Sequence, residues 1–317
     1  MQHIMSPLNY TGNKFRILSQ IQPYFPKHID TMVDMFCGGA TVGLNTECNK
    51  VIFVDNDRHV ISLLEFLAKS SFDALLYRLE ELINDYGLSY SAKYGYSYYK
   101  QLIFDNNYNN GLKEYNYEGF YKLRADYNSL CNKFDDIANV MLYLLMLYAF
   151  NNDIRFSKLG YFNLPVGKTD LNKRNITKLQ DYISRMQSIK ADFICADFSM
   201  AELETTLANA DFIYMDPPYL ITDAVYNESG RWSSKDEYEL LELLSEFLNC
   251  NKPFVLSNII EKRDEYNAPL LYWTEETKNQ IDIIDINYNY RSASYNKKNR
   301  DSNEREVIIK PKVCRYD

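Results

Sequence analysis

Apolar residues fall along the chain in two rhythms. Short runs rich in β-branched and aromatic residues, each closed by an acid or a glycine pair, read as buried strands. Thr31-Met32-Val33-Asp34-Met35-Phe36 stops at Gly38-Gly39, and Val51-Ile52-Phe53-Val54 stops at Asp55. Between them lies room for one short helix, and Val60, Leu63, Leu64 and Leu67 then repeat at helical spacing. The first 70 residues therefore predict β-α-β-α, the opening of a parallel sheet. The same grammar returns late: residues 192–195, 212–215 and 253–256 are predicted strands, and Leu240, Leu241, Leu243, Leu244, Phe247 and Leu248 make one helix face. Residues 281–290 and 306–309 predict two final strands joined by a basic loop.

Between residues 71 and 170 this rhythm breaks. The segment is rich in Tyr and Asn, lacks strand punctuation and carries helical patterns around 120–130 and 137–150. The expected fold class is α/β: a Rossmann-like sheet built from residues 1–70 and 171–317, with 71–170 inserted as a mainly helical unit. The longest apolar run, Val140 to Phe150, is far short of the roughly 20 residues that span a bilayer, so it reads as a buried helix and no membrane is expected. The tyrosines from Tyr94 to Tyr127 read as half-buried packing before base stacking.

Composition narrows the setting. With 317 residues, 46% of them apolar and 25% charged, the chain can bury a large core. Six cysteines without a CxxC pair and only three histidines fit a reduced, cytoplasmic protein with no metal site. No signal-peptide pattern opens the sequence. A net charge of −8 argues against a nucleic-acid partner until its distribution is examined. Residues 155–178 carry six basic side chains against one acid, and residues 291–315 carry eight against three, so each run is +5 and the rest of the chain is −18. Charge is segregated, although a solvated surface accounts equally well for either run alone.

Two features carry chemistry. Phe36-Cys37-Gly38-Gly39-Ala40 follows a strand and opens a helix, where glycines let the backbone approach a ligand, and Asp55 ends the next strand, placed to bond ribose hydroxyls. The spacing is short for a dinucleotide fingerprint and lacks its third glycine, so S-adenosylmethionine, with a ribose and no phosphate, fits better than NAD. Asp216-Pro217-Pro218-Tyr219 follows the apolar strand 212–215, at the edge of the sheet where open α/β folds bind ligands. An exocyclic amine is a poor nucleophile while its lone pair is conjugated into the ring. If Asp216 accepts one N–H and the Pro217 carbonyl the other, the nitrogen moves towards tetrahedral geometry; the prolines fix that backbone, and Tyr219 offers a ring on which an extruded base can stack. A sulfonium is already an excellent leaving group, so positioning suffices and no metal is needed.

With these residues in view, the sequence resembles the Dam-type adenine-N6-specific DNA methyltransferases, closest in spelling to the phage-type enzymes. The matching words are Tyr10-Thr11-Gly12-Asn13-Lys14, Asp34 to Gly39, Asp55, Asn151 to Lys168, Asp216 to Thr222 and Leu256-Ser257-Asn258, in the family's order over nearly the whole length. The resemblance implies a double-stranded DNA substrate and S-adenosylmethionine as cofactor, held by Tyr10, Lys14, Phe36, Gly38, Gly39, Asp55, Asp197, Phe198 and Asp216, with Phe198 flanking the adenine of the cofactor. It makes 71–170 the target-recognition domain. A hairpin-like stretch enters DNA there, Phe150 wedging into the base stack, Asn151 filling the gap and Arg155 pairing with a guanine edge. Lys168, Arg291, Lys297 and Lys298 are further DNA-binding candidates, and the free protein is expected to be a monomer. Where the enzymes for GATC have Leu or Met to meet a thymine methyl, this chain has Asp153, which prefers an amino donor or turns to solvent; the expected site is GATC-related but altered or relaxed. Methylation of RNA or of a protein glutamine is the competing enzymatic reading, and a noncatalytic DNA-binding subunit the non-enzymatic one. The Asp form of the motif and its intact surroundings favour DNA adenine.

Overall fold

The strands at the centre of the molecule are buried along almost their whole length, as they must be in a parallel sheet covered on both faces. The computed structural model describes residues 3–10, 12–103, 108–221, 232–286 and 304–312. The strands are β1 (Thr31–Met35), β2 (Lys50–Asp55), β3 (Lys190–Cys195), β4 (Phe212–Met215), β5 (Phe254–Lys262), β6 (Glu265–Tyr266), β7 (Ile281–Ile286) and β8 (Glu304–Pro311). They form one sheet in the order β3-β2-β1-β4-β5-β8-β7, with β6 paired to β5. The first five of that order are parallel, and β8 runs antiparallel between β5 and β7. This is the mixed α/β sheet of a methyltransferase-type fold, distinguished from an all-parallel dinucleotide-binding sheet by its inserted last strand.

Alternation along β2 sorts its side chains to two cores. Val51 and Phe53 pack towards the helices Arg58–Lys69 and Lys173–Ser188, while Ile52 and Val54 face the cluster of the helix Ser234–Asn249. The first cluster continues without a break through Leu63, Leu64 and Leu67 into Leu142, Leu145 and Tyr148, so the helices of the middle segment share a core with the sheet. The helix Asp136–Tyr148 is buried on every side from Ala138 onwards, and Asp135 caps it by accepting the Ala138 N–H. Among the described residues no helix is long and apolar enough to cross a membrane.

Several elements differ from their expected form. The strand anticipated at 253–256 extends to Lys262 as β5, and the helices Phe72–Asp85, Lys173–Ser188 and Ala268–Glu276 were not resolved by pattern. In Lys173–Ser188 the buried residues Leu179, Tyr182, Ile183 and Met186 keep helical spacing, while Lys173 and Arg174 occupy its exposed face. Part of the first basic run is thus the outer face of a helix. The expected strand 281–290 is described to Ile286; Arg291, Lys297 and Lys298 lie outside the described residues.

Candidate active site

Three strand ends and one reversed strand meet at the carboxyl edge of the sheet. After β1 the backbone passes through left-handed conformations at Phe36 (φ 61°) and Gly38 (φ 46°). A side chain at Gly38 would place its Cβ 2.6 Å from the Tyr10 ring, so the glycine allows that ring to lie against the loop. The Gly38 and Asp57 N–H groups donate to the two oxygens of Asp55 at 2.8 and 2.9 Å, tying the ends of β1 and β2 together. Burial, opposed by these backbone bonds, pushes the Asp55 carboxyl up to about 6.

These residues border a cavity of about 630 Å³, a volume within the range of small-molecule sites. Its lining carries Asp34, Asp55, Asp57, Asp197, Asp216 and Asp236 against Lys14, Arg58 and Lys158. An acidic wall of this kind suits a nucleoside bearing a cation and would repel a phosphate. Phe36, Phe198 and Trp232 form a triangle with ring centroids 5.3–5.6 Å apart. Phe36 and Trp232 line the cavity; Phe198 is buried, packs on both of these rings and is not part of the lining.

The loop after β4 is held by charge. Lys14, whose side chain is 4% exposed, places Nζ 2.6 Å from Asp216 Oδ2 and 3.9 Å from Glu306, and donates to the Gly12 carbonyl at 3.0 Å. The Tyr219 hydroxyl lies 2.8 Å from Asp216 Oδ1 and 3.2 Å from Glu306 Oε1, with the Lys14 ammonium 5.2 Å from the ring centroid. Burial, opposed by Lys14 and reinforced by Asp216, pushes the Glu306 carboxyl up to about 7. Behind the loop, Asp34 accepts the Gly43 N–H at 2.8 Å, and burial pushes it up to about 8. An ion-paired carboxylate beside the fixed Pro217 backbone can accept an N–H from an amine presented at the cavity.

A hairpin stands beside this site. Ala149 pairs with Val166 and Phe156 with Phe162, and the Phe150 N–H donates to the Pro165 carbonyl at 2.8 Å. Gly167 permits the closure, because a Cβ there would meet the Ala149 oxygen at 2.2 Å. Asn151 and Asn152 are both left-handed, and the Asn9 side chain donates to the Asn151 carbonyl at 2.9 Å, which links the hairpin to the residue preceding Tyr10. Phe150 is 48% exposed. Arg155 Nε donates to Asn163 Oδ1, and half-buried Asp153 turns one oxygen back onto the Ile154 N–H at 2.9 Å. The tip returns to the cavity: Phe156 lines it and stacks on His59 at 3.7 Å. Lys168 is exposed at the hairpin's end.

Tyr10, Lys14, Phe36, Gly38, Gly39, Asp55, Asp197, Asp216, Pro217 and Tyr219 therefore line one cavity, whereas Phe150, Asn151, Asp153 and Arg155 sit on the hairpin outside its lining. Sequence reasoning missed Glu306, Trp232, His59 and Phe156. Glu306 left one signal, an acid directly before the apolar run Val307-Ile308-Ile309.

Comparison with known proteins places this geometry in a family. Residues 10–299 match the family model of the D12 class N6 adenine-specific DNA methyltransferases, and the chain belongs to that family. It is 32% identical to the type II methyltransferase M.FokI of Planomicrobium okeanokoites and 32% identical to the modification methylase StsI of Streptococcus sanguinis, each over 97% of this chain and 43% of the relative. The chain thus spans less than half the length of those two enzymes. It is 25% identical to the DNA adenine methylase of Salmonella typhimurium, over 79% of either protein.

Proposed function

We propose that this chain is a site-specific DNA methyltransferase that moves a methyl group from S-adenosylmethionine to N6 of an adenine swung out of a short duplex site. The observation that carries the reading is the Lys14–Asp216 ion pair with Tyr219, set at the end of β4 against an acidic cavity. When bound, S-adenosylmethionine supplies a methyl group already activated on a sulfonium. The lining fits it: the glycine turn lets the Tyr10 ring pack against the Phe36 to Gly39 loop, Asp55 and Asp197 would accept hydrogen bonds from its hydroxyl and amino groups, and Phe36, in contact with Phe198, would offer an apolar wall to its adenine. Asp216 accepts one N–H of the target amine and the Pro217 carbonyl the other, which frees the lone pair, while Tyr219 presents its ring to the base.

Residues 71–170 are the reading unit and residues 1–70 and 171–317 the catalytic unit. Phe150 wedges the duplex, Asn151 fills the gap, and Arg155, held by Asn163, reads a guanine. Lys168, with Arg291, Lys297 and Lys298, supplies phosphate contacts. Asp153 makes the site GATC-related with one base altered or relaxed.

Transfer of a tritiated methyl group to genomic DNA lacking adenine methylation tests the reaction. Wild type should label adenine, and Asp216→Ala should lose at least about a hundredfold, since alignment and anchoring go together; equal incorporation by the two proteins defeats the mechanism. Sequencing the methylated bases in the same DNA tests the site, and strict GATC modification removes the altered-site claim.

A further inference from the structure

Glu306 has no place in the mechanism above, yet it is a carboxylic acid 6% exposed and in contact with the catalytic loop. A strand needs nothing of the kind: its register partners are Ile259 on β5 and Ile286 on β7. The titratable groups that face it are Lys14 from the N-terminal turn, Asp216 and Tyr219 from the loop, Tyr214 from β4 and Glu304 on its own strand. Resting on the proposed adenine methylation, we infer that Glu306 accepts the proton released by the reaction, acting through the Tyr219 hydroxyl.

The geometry offers a path for a proton. A phenol has one hydrogen, but the Tyr219 oxygen lies within hydrogen-bond distance of two carboxyl groups, Asp216 at 2.8 Å and Glu306 at 3.2 Å. It can donate to one; the other contact is a hydrogen bond only when that carboxyl holds a proton and donates it to the phenol. Lys14, 2.6 Å from Asp216 and 3.9 Å from Glu306, decides where a single proton shared by these groups rests, with charge on Asp216 and the proton on Glu306; Glu306 therefore has to be ionised before a turnover to take up the proton that the turnover releases.

Methylation leaves the amine nitrogen with one proton in excess. That N–H bond breaks, its electron pair returns to nitrogen, and the proton reaches Asp216. A protonated Asp216 would leave the buried Lys14 ammonium only the more distant Glu306 charge, 3.9 Å away, in place of its partner at 2.6 Å, so the proton moves on. Asp216 protonates the Tyr219 oxygen as the hydrogen of that hydroxyl passes to Glu306. One N–H bond has been lost and one O–H bond formed at Glu306, while Asp216 and Tyr219 are restored and the ion pair is whole. Glu306 returns the proton to water when the site opens.

Glu306→Gln keeps the size and one acceptor oxygen but cannot take up a proton. In single turnovers on unmethylated genomic DNA, the wild-type rate should rise through about pH 7 as Glu306 ionises. Glu306→Gln should lose that rise and fall about a hundredfold, with KM for DNA unchanged and Glu306→Asp recovering part of the rate. Tyr219→Phe should lose the same pH dependence, and the double variant should be no worse than the poorer single one. In the protein alone, carbon-13 NMR of its glutamates should find one carboxyl titrating near neutrality that disappears in Glu306→Gln. A Glu306→Gln protein with the wild-type pH profile overturns the inference, whether its rate is kept or lowered by misplacement of Tyr219. Wild-type protein that labels no adenine removes the parent reading and this one with it.

Discussion

The cavity rim and the hairpin are neighbours built on opposite plans. At the rim, side chains hold side chains: Lys14, the Asp216 to Tyr219 loop and Glu306 come from three distant parts of the chain and are linked by contacts of 2.6–3.9 Å. In the hairpin the backbone provides the order, through Phe150 to Pro165, Gly167 to Tyr148 and Ser157 to Tyr161, while Phe150, Leu159 and Tyr161 stand exposed. Burying a charge is costly unless its partner is already in place, so the rim has to be organised before any ligand arrives. Exposed side chains on a short backbone ladder cost little and remain adjustable. On the proposed reading, the methyl-transfer chemistry would sit in the first kind of structure and the reading of the target sequence in the second.

Three substitutions test that contrast, each followed by urea unfolding. Lys14→Ala should be the most damaging, about 3 kcal/mol, because it leaves Asp216 and Glu306 facing each other without a cation. A variant as stable as wild type would mean that the rim is not held by charge. Gly38→Ala should cost about 1–2 kcal/mol, from its left-handed backbone and from the contact with Tyr10, and should weaken S-adenosylmethionine binding about tenfold in calorimetry. Adding Tyr10→Ala should relieve the clash without restoring the affinity; full recovery would remove Tyr10 from the cofactor site. Phe150→Ala should change stability by less than about 0.5 kcal/mol and yet slow methylation of paired adenine. Placing the target adenine in a mismatch, where extrusion is easier, should return most of that rate. Equal losses on both substrates would show that Phe150 is no wedge.

Much of this architecture is legible in the amino-acid sequence. Strand β4 and the loop after it are contiguous in sequence, as are β1 with its glycine turn and β2 with Asp55, and each is dictated locally: an apolar run long enough to cross the sheet, then residues that end it. The helix Asp136–Tyr148 was visible as an apolar run for the same reason. The helix Lys173–Ser188 was not, because its basic outer face masked a four-residue apolar stripe.

The amino-acid sequence by itself determined the order of the main strands, the Asp216 to Tyr219 motif at the end of one of them, and the family. Only the tertiary structure decided what surrounds that motif. Glu306 lies 87 residues beyond Tyr219, and no local pattern connects them. They meet because β8 inserts antiparallel between β5 and β7, which carries the start of a strand to the edge where the parallel strands end. Likewise Lys14 becomes the counter-ion of Asp216 only when the N-terminal turn closes over the sheet. Local sequence sets which conformations a segment can adopt, but charge pairing in a buried site depends on distances that exist only once the sheet has assembled.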